Sequence, residues 1–274
     1  HHLYPAPLHR DPGDVGVSGL PLDIDQVLAA MQLYYWPFLR VSALMLVAPI
    51  FSAANVTVRV RVLLAVLIAA LVAPLMPVAP VTDPLSGAGI LLAVREVAIG
   101  AAMGFVMQMV FASVVVAGET LAMSMGLGFA MSVDPQNGVQ VPVVSQFNTI
   151  LSILLFLAID GHLLLLSAFG DSLVLLPPGQ PGFDPGTFAN LAGLGGGIFA
   201  SALVLALPAL TAVLMTNIAL GVITRAAPQL NIFAVGFPVT ILVGFTFLLL
   251  GMPAFIAAMR RFLEAGIEQT LMVF

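Results

Sequence analysis

Six apolar runs, at roughly 25–50, 60–80, 88–118, 142–176, 187–224 and 232–258, leave this chain few ways to fold. About 20 apolar residues suffice for a helix to cross the ~30 Å hydrocarbon core of a bilayer, and every run reaches that length. The expected fold is all-α and membrane-integral. Two runs are too long for one straight span. Residues 142–176 would form a helix of roughly 50 Å, and Asp160-Gly161-His162 interrupts them, which predicts a hairpin or a broken helix. Residues 187–224 have the same excess, with Gly195-Gly196-Gly197 and Pro208 as candidate breaks. Six tidy spans are therefore not expected.

The charges agree with a greasy environment. Only 8% of residues are charged, against about a quarter in an ordinary soluble domain. All eight basic residues are arginines, in no basic run, so no nucleic-acid partner is expected. Cysteine is absent, which excludes disulfides and thiolate metal sites. Residues 1–21 are rich in proline and glycine and read as a disordered extension; His1 and His2 resemble the remnant of a purification tag. The rest, 22–274, contains no polar linker and reads as one domain. Arg40 followed by "VSALMLVAPIF" imitates a signal peptide but begins too late, so it reads as a retained membrane segment. Alternation from an outside N-terminus puts Arg59, Arg61 and Arg225 inside, yet it also puts Arg260 and Arg261 outside, against the positive-inside rule.

Local signals mark several boundaries. Asp23 with Gln26 resembles a capping box. Asp83-Pro84 and Asp184-Pro185 each pair a preferred N-cap with proline at the first helical position, whereas Asn137-Gly138 breaks the same signal at Asp134-Pro135 and leaves a loop. Gly100 with Gly104, and Gly193 with Gly197, have the G-x-x-x-G spacing that lets membrane helices approach closely.

Arg95, Glu96, Glu119, Asp160 and His162 lie in or beside apolar runs, where a charge is expensive and marks a candidate site. Pairing inside a protein interior that holds subunits in register is the better reading. Arg95 and Glu96, as helix neighbours, face different sides and need separate partners. No ligand lies at metal spacing from His162, which reads as a helix-end histidine bonded to backbone. "GLGF" (126–129) follows a helix and lacks the third glycine of a dinucleotide fingerprint; no G-x-S-x-G, phosphate loop or H-E-x-x-H is present. Nothing supports catalysis, a cofactor or a metal.

The stretch 123–141, "MSMGLGFAMSVDPQNGVQV", alternates Met123, Met125 and Met131 with Gly126, Gly128 and Phe129. Methionine fills irregular gaps and glycine frees the backbone, and irregular backbone at membrane depth survives only in a protein interior or lining a cavity. The composition fits an apolar stopper and a surface loop equally.

Together, "MGLGFAMSVDP" (125–135), "FLAIDGHLLLL" (156–166), "SLVLLPPG" (172–179) and "RAAPQLNIFAVGFP" (225–238) resemble the FliR family of flagellar type III export-gate subunits, as does "APIFSAANVTVRVRVLLAVLIA" (48–69). The resemblance covers roughly residues 25–260; the injectisome counterparts share the architecture. It implies a FliP-like portion followed by a FliQ-like portion, built of broken helices and hairpins. FliP-like and FliQ-like subunits, an FlhB-like switch and an FlhA-like export component are the implied partners. The gate would lie in the bacterial inner membrane, within the flagellar basal body, and pass unfolded export substrates. By position, the loop of Met123, Met125, Gly126, Gly128, Phe129, Met131, Asp134, Pro135, Asn137 and Gly138 corresponds to the family's pore plug. Arg225, Pro228, Gln229, Asn231, Gly236 and Pro238 then read as the elbow of a FliQ-like hairpin: Pro228 ends one helix, while Gly236 and Pro238 let the next start at a new angle. A secondary transporter is the alternative from another class, since broken helices and an intramembrane acid are its marks too, but no second copy of either interruption is found. An intramembrane hydrolase lacks a nucleophile–base pair.

Overall fold

A computed structural model describes residues 24–53, 55–76, 82–128, 143–180, 185–227, 229 and 232–272. Among them every regular element is helical: α1 (Ile24–Val47), α2 (Val58–Val72) with a 3-10 turn at Ala73–Leu75, α3 (Gly87–Ser124), α4 (Val143–Ala158), α5 (Gly161–Leu175), α6 (Pro185–Ala226), α7 (Ile232–Leu250) and α8 (Met252–Met272). The all-α membrane reading holds. Two helices, α3 and α6, are long and apolar enough to cross a membrane, and the bent pairs α4–α5 and α7–α8 add two more if each counts as one span.

Helix α3 is the axis, with α1, α4, α6 and α8 packed around it. Its glycines make this possible. A Cβ on Gly100 would fall on the Arg40 carbonyl, and one on Gly104 would come within 2.9 Å of the Leu44 carbonyl, both on α1. Gly118 meets the Ser145 backbone of α4 in the same way. Between the helices lies a core of Leu44, Met45, Met103, Met107, Phe169 and Leu263, with Phe111 and Phe156 edge to face at 6.0 Å. Gly193 and Gly197 behave differently: a Cβ on either would meet no described residue within 4 Å, so this pair does not hold another helix at close approach among the described residues.

The breaks follow local chemistry. Helices α4 and α5 meet at 65°, where the interruption at 160–162 predicted a break. Asp160 takes the left-handed conformation there, φ 55°, which aspartate tolerates better than most side chains. Gly161 must follow, because a Cβ would meet the Phe156 ring at 2.5 Å. Helices α7 and α8 meet at 61° around Gly251, a break the run 232–258 did not announce. Conversely, α6 runs unbroken for 42 residues through Gly195–Gly197 and Pro208. Glycine costs a helix about 1 kcal/mol and an internal proline about 3, but a peptide group exposed to hydrocarbon costs several, so the helix continues. At the start of α3, the N-cap is Ser86, whose Oγ accepts from Gly89 N at 3.0 Å. Asp83 and Pro84 form the preceding turn instead, so the helix begins later than the Asp-Pro signal suggested. Pro185 does open α6; Asp184, Asp23 and the extension 1–21 lie outside the described residues.

Candidate functional site

One ionic cluster ties three helices together. The Nε of Arg40 on α1 donates to Glu96 Oε2 on α3 at 2.7 Å. Its Nη1 donates to the Ser172 carbonyl at 2.8 Å and to Ser172 Oγ at 3.2 Å, and its Nη2 to the Leu176 carbonyl at 2.8 Å. Both carbonyls belong to the C-terminal end of α5, where the dipole favours a cation; the Ser172 carbonyl also accepts from Leu176 N at 2.9 Å. Arg40 and Glu96 are 0% and 1% exposed. Only a rigid, always-charged fork with five donors satisfies a carboxylate and two carbonyls at once.

The partner that Glu96 needs is therefore inside the chain, and the sequence reading missed it. In the sequence Arg40 reads as the flank of a signal-like segment. Its helical spacing from buried Trp36 and Leu44, four residues either way, places it on the stripe that faces the core and is the signal that would have found it.

The other candidate charges remain apart from this cluster. Arg95 points elsewhere, half-buried, with an enclosed Nε that finds no acceptor among the described residues. Glu119 is exposed near the end of α3. Neither forms an ion pair among the described residues. Asp160 caps α5 by position, without a side-chain hydrogen bond. His162 is not the backbone-bonded histidine expected: its Nδ1 is enclosed and unpartnered at the start of α5, where the first turn offers no free carbonyl to bond.

A second constellation surrounds the base of the loop that begins at Met125. Helix α3 continues to Ser124, so Met123 is helical and 67% exposed rather than part of the loop. Gly126, φ 83°, caps the helix: Gly126 N bonds the Met123 carbonyl at 3.1 Å and Leu127 N the Ala122 carbonyl at 3.0 Å, a Schellman motif. Two other helices grip this end. Thr240 Oγ1 of α7 lies 3.1 Å from the Met125 carbonyl, and Asn217 Nδ2 of α6 donates to the Ser124 carbonyl at 3.2 Å. Met125 is fully buried beside Gly244, where a Cβ would meet its side chain at 2.6 Å; one on Gly126 would meet the Phe237 ring at 2.6 Å. Met125 is thus an anchor in the interior, with Gly128 just beyond it. Phe129, Met131, Asp134, Pro135, Asn137 and Gly138 lie outside the described residues.

The turn between α6 and α7 is shorter than the elbow drawn from sequence. Arg225 is exposed in the last turn of α6 and Gln229 exposed in the connection. Gly236 and Pro238 lie inside α7 instead of before it, with Gly236 buried; hydrocarbon surroundings again favour continuing the helix through proline. Pro228 and Asn231 lie outside the described residues.

Large apolar side chains remain exposed on the first half of α3, from Ile90 and Leu91 to Phe105, with Met123 near its end, and along α6 from Phe199 to Ile223. Helix α3, with 38 residues, is ~57 Å long, and fitting it into a ~30 Å core needs a tilt of about 58°, beyond the usual 0–40°.

Residues 31–266 match the family described as bacterial export proteins, family 1. The flagellar biosynthetic protein FliR of Escherichia coli K12 is 42% identical over 234 residues, covering 85% of this chain and 89% of its own length. The FliR of Pectobacterium carotovorum is 44% identical over 212 residues, covering 77% and 80%. That of Bacillus subtilis is 30% identical over 234 residues, covering 84% and 90%.

Proposed function

Because the chain belongs to bacterial export protein family 1, with the FliR proteins of the flagellar export apparatus, we propose that this membrane-embedded subunit completes a closed protein-export gate with FliP-like and FliQ-like neighbours. The observation that carries the reading is the length of α3 and α6, 38 and 42 residues, which an ordinary tilt cannot fit into the hydrocarbon core, together with the large apolar side chains that α6 leaves exposed from Phe199 to Ile223. The remainder needs other subunits of apolar, helical character. Arg95 and Glu119 are the charges available to meet counter-charges on those subunits, since neither is paired here and Glu96 is already committed to Arg40.

In this reading the first part of the chain is FliP-like, and the α6–α7 hairpin, turning near Arg225 and Gln229, is FliQ-like. The loop after Gly126 plugs the pore, through which unfolded flagellar proteins pass across the inner membrane. FlhB-like and FlhA-like components adjoin the gate within the basal body. The test is co-expression with FliP-like and FliQ-like subunits, followed by native mass spectrometry of the detergent-purified product. A stoichiometric three-protein complex is expected. A stable, monodisperse monomer that ignores both partners would refute the gate reading.

A further inference from the structure

A groove of about 610 Å³ opens between α1, α2 and the turn that precedes α3. Pockets of about 300–1,000 Å³ are the size that small ligands occupy. Met31, Tyr35 and Phe38 form the α1 wall, at the i, i+4, i+7 spacing of one helix face. Val66 and Ala70 stand on the α2 wall. Apart from tyrosine hydroxyls, the polar group in the lining is Gln32, whose Oε1 already accepts from Thr82 N at 3.0 Å. The groove therefore offers hydrocarbon and ring faces.

Beyond the groove, the α2 wall continues as an apolar track that ends on a cation. Arg59 precedes Val66 and Ala70 by about two and three full turns at 3.6 residues per turn, so the three share one face. Val62 and Leu63, 48% and 61% exposed, lie between them. Arg59 is exposed and forms no ion pair or hydrogen bond among the described residues. Arg61 differs, since its guanidinium donates to the Phe51 carbonyl at 2.9 Å and the Val56 carbonyl at 3.4 Å. The first turn of α2 holds no acidic residue, and Thr57 makes no side-chain cap. Its free N–H groups therefore add to the positive field around Arg59.

From Arg59 to Ala70 is about 16 Å along the helix, close to the depth of one leaflet, half of the ~30 Å hydrocarbon core. We propose that groove and track together bind one anionic phospholipid, with an acyl chain between α1 and α2 and the phosphate on Arg59. Charge and length both match: the cation meets the headgroup, and the apolar walls meet the chain. A neighbouring helix fits less well. Membrane helices approach closely over small residues, whereas Met31, Tyr35, Val62 and Leu63 are large.

The test is native mass spectrometry of the delipidated, detergent-purified protein with the subunits that accompany it. Phosphatidylglycerol and zwitterionic phosphatidylethanolamine are titrated separately. One phosphatidylglycerol per chain, bound more tightly than phosphatidylethanolamine, is the expected result. Arg59→Gln should weaken that binding about fivefold, the effect of one arginine near anionic lipid, and Ala70→Trp should block the groove. Both positions are exposed, so neither change enters the core. No binding, equal binding of the two lipids, or binding unchanged by Ala70→Trp would overturn the proposal. Should a variant fail to assemble, a density map of the wild type decides: acyl-chain density in the groove supports the site, and protein side chains filling it overturn it.

Discussion

Arg40 and Glu96, 56 residues apart in the chain, meet at 2.7 Å with both side chains sealed from solvent. Removing one member leaves an uncompensated charge in the interior, at a cost of about 3–5 kcal/mol. Arg40→Met and Glu96→Gln should therefore each depress accumulation of the protein and lower the melting temperature of the purified complex in detergent. Arg40→Lys should rescue poorly, because a point charge on a flexible stem cannot meet Glu96, Ser172 and Leu176 together. Wild-type levels of either single variant would show that the cluster does not hold the fold.

The two glycine pairs separate by structure, so their substitutions should separate by effect. Gly100→Ala places a methyl on the Arg40 carbonyl and should disrupt the α1–α3 contact. Gly193→Ala meets none of the described residues within 4 Å and gains up to about 1 kcal/mol of helix propensity. Expression level measures the first effect. For Gly193→Ala, a normal expression level combined with failed co-purification of partner subunits would place that glycine at an inter-subunit contact.

How these features could be read from sequence differs by cause. Apolar length exposed the helices, and Asp160-Gly161-His162 exposed the α4–α5 break, because a polar interruption in hydrocarbon has few explanations. Helix termination was harder. Proline and glycine mark ends in water, but Pro208 and Pro238 lie within helices here, since the surroundings offer the backbone no other hydrogen bonds. At the Gly251 bend a Cβ would come within 2.9 Å of the Phe247 carbonyl and 3.4 Å of Pro208 on α6, and no local pattern records that second neighbour. Gly100 and Glu96 were legible as types, but their common neighbour Arg40 became evident only when α1 was laid beside α3.

Asp160 tests whether its carboxylate or its backbone matters. Its side chain caps nothing, while its φ of 55° excludes most residues. Asp160→Asn and Asp160→Gly should be tolerated, whereas Asp160→Val should destabilise by about 1–2 kcal/mol through the left-handed backbone. The measurement is the detergent melting temperature alongside secretion of an export substrate. A secretion defect in Asp160→Asn with stability unchanged would instead assign the carboxylate a role of its own.

The loop base separates anchoring from sealing. Met125 is buried against α7 and its carbonyl lies beside the Thr240 hydroxyl, so Met125→Ser should weaken the α3–α7 contact, by about 2–5 kcal/mol on the scale of methionine truncations in cores. Phe129 and Met131 follow the Gly126 cap, and under the plug proposal they belong to the seal itself. Replacing both with serine, with Met125 intact, should leave assembly unchanged but wet the closed pore and raise resting ion flux across vesicles containing the complex. Thr240→Val removes the hydroxyl at nearly constant shape and should loosen the anchor, while Thr240→Ser should not. Unchanged ion flux after Phe129 and Met131 become serine, with the complex shown intact by native mass spectrometry, would remove the plug assignment. Loss of the complex with Met125→Ser alone would still identify the anchor, because that contact lies within the chain and does not depend on what the loop closes.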